Sequence, residues 1–339
     1  MSIIDKYNYE FPSELIAQKP AHPRDSAKLL IYNRKTKGVN FDIFRNIGKY
    51  LPKDTVLVLN ETKVLPARFE VTKVTGGKIK LLYLNGDKNI FSALSPRKLN
   101  PGEVLKFRSK EITVTKVLED GYRFKAANKN FDIRKELEKY GDAPLPPYIK
   151  NSPLTKSEIK KEYQTVFAKK YGSVAAPTAS LHFTKKLLTS LKEQGIKEEK
   201  VTLHVGLGTF ATITEENIRE GKLHSEYYEI GENVAGKLLS AKNHGSKIIP
   251  VGTTALRTLE SAFVGGKFET LSGETDIFIK EGDKLKFADG LITNFHVPKS
   301  SLIMLVAALI GRGKTLELYN LAIKNKFRLF SFGDAMLIL

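Results

Sequence analysis

The run Arg68-Phe-Glu-Val-Thr-Lys-Val-Thr-Gly-Gly-Lys-Ile-Lys-Leu-Leu-Tyr-Leu-Asn-Gly-Asp87 sets the reading of the whole chain. Apolar and polar residues alternate on either side of Gly76-Gly77, the period of a half-buried strand, and Asn85-Gly86-Asp87 supplies a second turn signal. Further runs of the same kind follow at Ile90 to Leu94, Val104 to Phe107, Ile112 to Leu118 and Tyr122 to Ala126. Six short strands separated by Gly, Asn and Asp predict a small antiparallel β-barrel. Pro66 stands before this region and Pro144-Leu-Pro-Pro147 after it. Proline continues neither a ladder nor a helix interior, so the junctions are set there and the barrel domain at 66–144.

Outside the barrel the grammar changes. Thr55 to Leu59 is a compact apolar strand. Beyond Pro147 helices and strands alternate. Thr155-Lys-Ser-Glu158 has the form of a capping box, with helix-like sequence running on through Gln164 to Lys170. Thr184 caps a second predicted helix that Gly195 stops, ahead of a strand from Val201 to Val205. A helix from Val234 to Asn243 precedes the strand Lys247 to Val251. Leu291 to Phe295 is a strand, helices follow near Ser300 to Gly311 and Thr315 to Lys324, and Arg328 to Phe332 reads as a last strand. The expected architecture is an α/β main domain, residues 1–65 and 145–339, with mainly parallel pairing, interrupted by the inserted small antiparallel β-barrel domain.

Composition narrows the chemistry. The 339 residues include no cysteine, which removes disulfides, thiolate nucleophiles, iron–sulfur clusters and cysteine-based zinc sites. The six histidines include no i, i+4 pair, so no metal is expected. The longest apolar run, Leu302 to Ile310, is about half of the ~20 residues that a bilayer requires. Met1-Ser-Ile-Ile-Asp5 has no basic segment ahead of an apolar one, so a cytoplasmic location and no membrane partner are expected. A net charge of +18 fits a polyanionic partner bound through its phosphates, and it equally fits a lysine-rich chain with solvated faces.

Polar residues gather where the α/β strands end. Asn60-Glu61-Thr62 follows one strand, and His204-Val-Gly206-Leu-Gly208-Thr209 closes another. Gly252-Thr253-Thr254 follows a third and Asn294-Phe-His296 a fourth. Open α/β sheets bind ligands beyond the carboxyl ends of their strands, so these clusters should meet in one crevice. Each also has an ordinary explanation. The Gly206/Gly208 pair is a tight turn lacking the third glycine of a dinucleotide fingerprint, one of Thr253 and Thr254 is a helix cap, and Lys299-Ser300 caps the next helix. A lone histidine such as His204 can be a satisfied structural group. Ala175-Ala-Pro-Thr178-Ala-Ser-Leu-His182-Phe183 is a small-residue loop ending in two rings able to bond or stack a base, or simply a tight connection. His224-Ser-Glu226 puts an imidazole and a carboxylate on one side of a strand, as acid–base work or a surface pair would.

Taken in order, further blocks carry a resemblance. They are Leu15-Ile-Ala-Gln18 with Arg24-Asp25, Leu57-Val-Leu-Asn-Glu-Thr-Lys63 with Pro66-Ala-Arg68, Pro144-Leu-Pro-Pro-Tyr-Ile149, Tyr163-Gln164-Thr-Val166 and Ala175 to Phe183. Thr202 to Phe210, His224-Ser-Glu226, Val251-Gly-Thr-Thr254 with Arg257-Thr-Leu-Glu260, and Thr275-Asp-Ile-Phe-Ile279 continue it. Thr293-Asn-Phe-His296, Pro298-Lys-Ser300 and Gly333-Asp334-Ala-Met336 complete it. The chain resembles the S-adenosylmethionine:tRNA ribosyltransferase-isomerases over essentially its whole length. Ser180 stands where that family usually has Gly, Val297 where Leu is usual and Ser301 where Thr is usual.

The resemblance implies transfer and isomerisation of the ribose of S-adenosylmethionine onto 7-aminomethyl-7-deazaguanine at the wobble position of tRNA. Epoxyqueuosine forms, and adenine and methionine leave. It implies tRNAs with a GUN anticodon (the Asp, Asn, His and Tyr acceptors) and S-adenosylmethionine as substrate, with no cofactor held permanently. A monomer is expected. On this reading His204, His224 and Glu226, backed by Asp25 and Asp334, are the candidates for proton transfer. Arg24, Arg68, Arg257 and Lys299 would bind carboxylate or phosphate. Asn60, Glu61, Thr62, Gln164, Thr178, His182, Phe183, Thr253, Thr254, Asn294, His296 and Ser300, with Gly206, Gly208 and Thr209, would shape the substrate site. The rival readings are another S-adenosylmethionine-dependent tRNA-modifying transferase and a non-catalytic tRNA-binding protein.

Overall fold

A computed structural model describes residues 2–206 and 213–339. The chain divides into two compact units, one of residues 1–63, 146–154 and 162–339, the other of residues 64–145 and 155–161.

The first unit is built on a sheet that contains nine strands among the described residues. Their order is Ser272–Ile277, Lys222–Glu229, Lys197–Leu203, Val56–Asn60, Ile248–Val251, Leu291–Asn294, Ala335–Ile338, Lys28–Tyr32 and Val39–Ile43. Val56–Asn60, Ile248–Val251, Leu291–Asn294 and Ala335–Ile338 are buried at every position, as strands covered on both faces must be. The sheet is mixed rather than mainly parallel. Lys197–Leu203, Val56–Asn60, Ile248–Val251 and Leu291–Asn294 are parallel neighbours, whereas Ala335–Ile338 runs against Leu291–Asn294. Two helices, Ser301–Ile310 and Arg312–Lys324, lie between those last two strands. A single crossover helix returns the chain to the start of the next strand, but a helix pair brings it back to the end it left, which reverses direction.

The second unit contains a closed barrel of antiparallel strands in the order Gly121–Ala126, Ile90–Leu94, Lys78–Asp87, Arg68–Lys73, Val104–Phe107 and Lys110–Leu118. Inward-facing rings fill it. Phe69 meets Phe107 at 5.0 Å, and Phe91 stacks on Phe124 at 5.4 Å. Asn85-Gly86-Asp87 is not the turn its composition predicts. The strand continues to Asp87 through a register shift between Tyr83 and Asn85, and the chain reverses at Lys88-Asn89. On the outer face Lys116 lies directly opposite Arg123, both exposed.

Caps read from sequence are present. Thr184 Oγ1 accepts from Leu187 N at 3.1 Å at the start of the helix Lys185–Glu193. The Thr155 and Glu158 side chains cap reciprocally, at 3.2 Å to Glu158 N and 2.7 Å from Thr155 N. That helix, Lys156–Glu162, stops well short of Lys170, because the Arg24 guanidinium takes the carbonyls of Glu162 and Gln164 at 3.2 and 2.5 Å. The expected strand at Arg328 to Phe332 is absent. Leu329 makes an isolated bridge to Ile16, Phe330 takes a positive φ of 70°, and the last strand is Ala335–Ile338. A left-handed residue breaks the extended geometry that a strand needs. Among the described residues no helix is long and apolar enough to cross a membrane.

Candidate functional site

In the first unit a cavity of about 410 Å³ opens at the carboxyl ends of the parallel strands. Val205 follows one of these strands, Gly252, Thr253 and Thr254 follow the second, and Asn294 and His296 close the third. Gly252, at φ 89°, turns the chain from strand to helix Thr253–Ala262, and no side chain caps that helix. Thr253 and Thr254 are therefore not its N-cap. They occupy the first turn, where backbone N–H groups lack helical partners, and both line the cavity. Ser300 does cap its helix, accepting from Ile303 N at 3.4 Å while donating to Val297 O at 2.8 Å.

Thr178, Lys299 and Ser300 complete the predicted residues that face this space. Thr178–His182 is a short 3-10 helix. Ser180 lies within it at ordinary negative φ, so the serine in place of glycine costs no backbone freedom there. Lys299 Nζ is bonded to Asp5 Oδ1 at 2.8 Å, and is thus part of an internal pair rather than an open anion site.

Asn294 is 1% exposed and closely specified. Its Nδ2 donates to Phe330 O at 3.0 Å and approaches His182 Nε2 at 3.5 Å, a long contact. Its Oδ1 is buried and has no partner. The Thr254 hydroxyl is likewise buried and unpartnered. His182 and His296 are buried imidazoles, each with its pKa pushed down to about 3. Burial is the main cause in both, helped at His182 by the nearby Arg328 charge and opposed by a hydrogen bond to the Arg24 backbone. His296 Nε2 meets Thr293 Oγ1 at 2.8 Å. Both rings are neutral hydrogen-bonding groups at neutral pH.

The other predicted residues do not line this cavity. Glu226 and Arg257 form a buried ion pair, at 4% and 7% exposure. Glu226 Oε1 also accepts from Gly206 N at 2.9 Å, and Arg257 reaches the carbonyls of Ile277 and Thr275 at 3.3 and 3.4 Å. Asp334 accepts from Arg328 Nη2, Arg328 N and Lys28 N at 2.7, 2.8 and 3.1 Å. Asp25 accepts from the Thr184 hydroxyl at 2.8 Å. Asn60 spends its amide on Leu203 and Thr62 backbone groups at 2.9 to 3.1 Å. Phe183 is a core ring against Phe44, not an exposed stacking surface. Arg24 holds Glu162, and Arg68 lies on the first barrel strand with Leu145 O at 3.1 Å. The Glu61 and Gln164 carbonyls accept from Lys169 N and from Arg24. His224 is exposed on its strand, while Glu226 is buried. Gly208 and Thr209 lie outside the described residues.

His204 stands one residue beyond its strand. Its Nδ1 is 2.9 Å from Thr62 Oγ1, which also bonds Ser173 Oγ at 2.7 Å, and its ring stacks on Tyr227. Gly172 backs the imidazole, and a Cβ there would lie 2.5 Å from the ring. Sequence reasoning missed Tyr148, Tyr163, Thr293 and Phe330, all of which line the cavity. The two tyrosines and Thr293 stand in blocks that carry the family resemblance, and that was their signal; Phe330 had none. Among the described residues no three His, Asp or Glu side chains are placed to hold a metal ion.

A family model described as queuosine biosynthesis protein matches residues 4–338. The chain belongs to the queuosine biosynthesis family. Relatives in this family named S-adenosylmethionine:tRNA ribosyltransferase-isomerase include those of Halothermothrix orenii and Clostridium kluyveri, both 46% identical to it. The matches span 99% of both chains in the first case and 100% of both in the second. A crystal structure of S-adenosylmethionine tRNA ribosyltransferase from Thermotoga maritima is similar with a TM-score of 0.58 and 34% identity, covering 98% of this chain and 100% of that one.

Two outcomes follow from this geometry. Each buried neutral histidine takes up a proton on unfolding once pH falls below about 6.5, so stability declines between there and the folded value of about 3. Denaturant unfolding at pH 7.5 and 5.5 should show a loss of roughly 1 kcal/mol per histidine, which His296→Phe should reduce. Gly172→Ala should displace the His204 ring and lower turnover about tenfold or more, beyond what the accompanying fall in melting temperature accounts for. Unchanged kinetics would separate His204 placement from activity.

Proposed function

We propose that this protein transfers and isomerises the ribosyl group of S-adenosylmethionine onto the aminomethyl-deazaguanine of tRNA, releasing adenine and methionine. The carrying observation is a cavity at parallel strand ends that retains two buried, unpartnered oxygens, in a chain of this family. Buried polar atoms are normally satisfied, so such atoms in a cavity wall are places for a ligand to bond. The enzyme class is that of its full-length relatives, and tRNA and S-adenosylmethionine are its substrates.

The reaction asks for a base beside the sulfonium, a neutral attacking amine and a proton for departing adenine. His182 and His296, with pKa near 3, are too weakly basic to hold the abstracted proton and serve as hydrogen-bonding groups. Glu226, Asp334 and Asp25 are engaged by Arg257, Arg328 and Thr184. These pairings favour His204, held at Nδ1 by Thr62, as the proton-transfer group. Wobble-position specificity for GUN anticodons, action as a monomer and a cytoplasmic location belong to the same proposal. The opposition of Lys116 and Arg123 on the barrel supports contact with the RNA backbone, since like charges set across a strand pair repel unless an anion joins them.

Mass spectrometry of nucleosides tests the reaction. Aminomethyl-deazaguanine tRNA incubated with protein and S-adenosylmethionine should yield epoxyqueuosine together with adenine and methionine. A methylated nucleoside would redirect the reading to another transferase, and bound but unaltered tRNA to a binding protein. Lys116→Glu with Arg123→Glu should weaken tRNA binding and lower the salt slope by about 1 for each phosphate no longer neutralised. An unchanged slope would remove this face from the RNA interface.

A further inference from the structure

The cavity of the first unit has one wall that is chemically incomplete. Asn294 ends a buried strand, and its amide orientation is fixed from behind. Asn294 Nδ2 donates a hydrogen bond to Phe330 O at 3.0 Å. Phe330 presents that carbonyl from a left-handed backbone at φ 70°, which a bulky residue rarely adopts. His182 Nε2 sits 3.5 Å from the same nitrogen. A flipped amide would set Oδ1 against the Phe330 carbonyl, so the donor stays on that side, and Oδ1, buried in a residue that lines the cavity, is left without a donor.

The missing partner is therefore a donor. Its surroundings restrict it further. Tyr148 and Phe330 place their rings 5.0 Å apart along this wall, with Ala176, Pro177, Phe295 and Leu302 contributing apolar surface. No carboxylate lines the cavity among the described residues, and its one lysine, Lys299, is paired with Asp5. An ammonium or a sulfonium would enter such a space with no counter-charge, at a high desolvation cost. A flat neutral heterocycle with an exocyclic amine fits both the apolar walls and the unpartnered Asn294 oxygen.

Resting on the function proposed above, we infer that the cavity is the adenine subsite. Asn294 Oδ1 accepts from the 6-amino group, His182 acts as the positioning residue that holds the amide, and the Thr254 hydroxyl donates to a ring nitrogen. The sulfonium and the reacting ribose carbons then lie toward Val205, the cavity-lining residue that follows His204.

The test compares S-adenosylmethionine with its deamino analogue, in which purine replaces adenine, using release of the free base in the presence of substrate tRNA. In the wild type kcat/KM should fall at least about tenfold for the analogue, because a buried acceptor is left unpaired. In Asn294→Ala both donors should react slowly, and the preference between them should shrink to about twofold. His182→Phe should shrink it partway, through loss of amide orientation. A purely structural role for Asn294 would slow both donors and leave the preference intact, and that result would overturn the assignment. If the variant does not fold, the wild type carries the test alone. The inhibition constant of the analogue against S-adenosylmethionine should lie about tenfold above the KM of the natural donor, and equal values would overturn the inference. Absence of adenine release by the wild type would instead defeat the functional proposal, an outcome distinct from release without preference.

Discussion

Neighbouring parallel strands must all release the chain at one edge of the sheet, and most of what is chemically distinctive here follows from that. Each strand leaves backbone groups past its last ladder bond that need a turn, a helix start or a ligand. Where Lys197–Leu203, Val56–Asn60, Ile248–Val251 and Leu291–Asn294 end, the chain meets this demand differently each time. The Asn60 amide serves its own neighbours, Gly252 opens an uncapped helix, and Asn294 keeps one oxygen unused. The site is what remains after the fold has satisfied the rest.

The same accounting explains why so many charged residues stand apart from the cavity. Removing an ion pair from water is favourable only when other groups complete the coordination, and one partner left alone in the interior is strongly destabilising. Glu226 with Arg257, and Asp334 with Arg328, are completed by backbone groups on several segments. They fix where strands and loops lie relative to one another within the first unit. Gly206, which leads out of a central strand, takes its place from one of them.

Much of this was legible in the sequence. Alternation with Gly and Asn turns is a local signal, so the barrel strands could be located, and the polar clusters at strand ends stood out because the strands before them are apolar throughout. Two kinds of information were not legible. Arg257 is separated from Glu226 by 31 positions and Asp25 from Thr184 by 159, so nothing local says that each charge or hydroxyl already has a partner. Side-chain direction was hidden too. Phe183 turns into the core beside Phe44, while Phe330, from a stretch read as a strand, turns its carbonyl toward Asn294. The helix expected to reach Lys170 failed for a related reason, because a guanidinium from far upstream captured its final carbonyls.

The order of the sheet also bears on biosynthesis. Among the described residues the hairpin Lys28–Tyr32 and Val39–Ile43 joins the remainder of the sheet only through Ala335–Ile338, which is inserted between it and Leu291–Asn294. A nascent chain thus carries these two strands unpaired with the rest of the sheet until Ala335–Ile338 has left the ribosome. Leu29 and Ile31 on one face of the first of these strands and Leu30 on the other wait through that interval without the strand they pair beside. The growing polypeptide is most exposed to misassociation at this hairpin, and the arrival of Ala335–Ile338 is the event that closes the sheet.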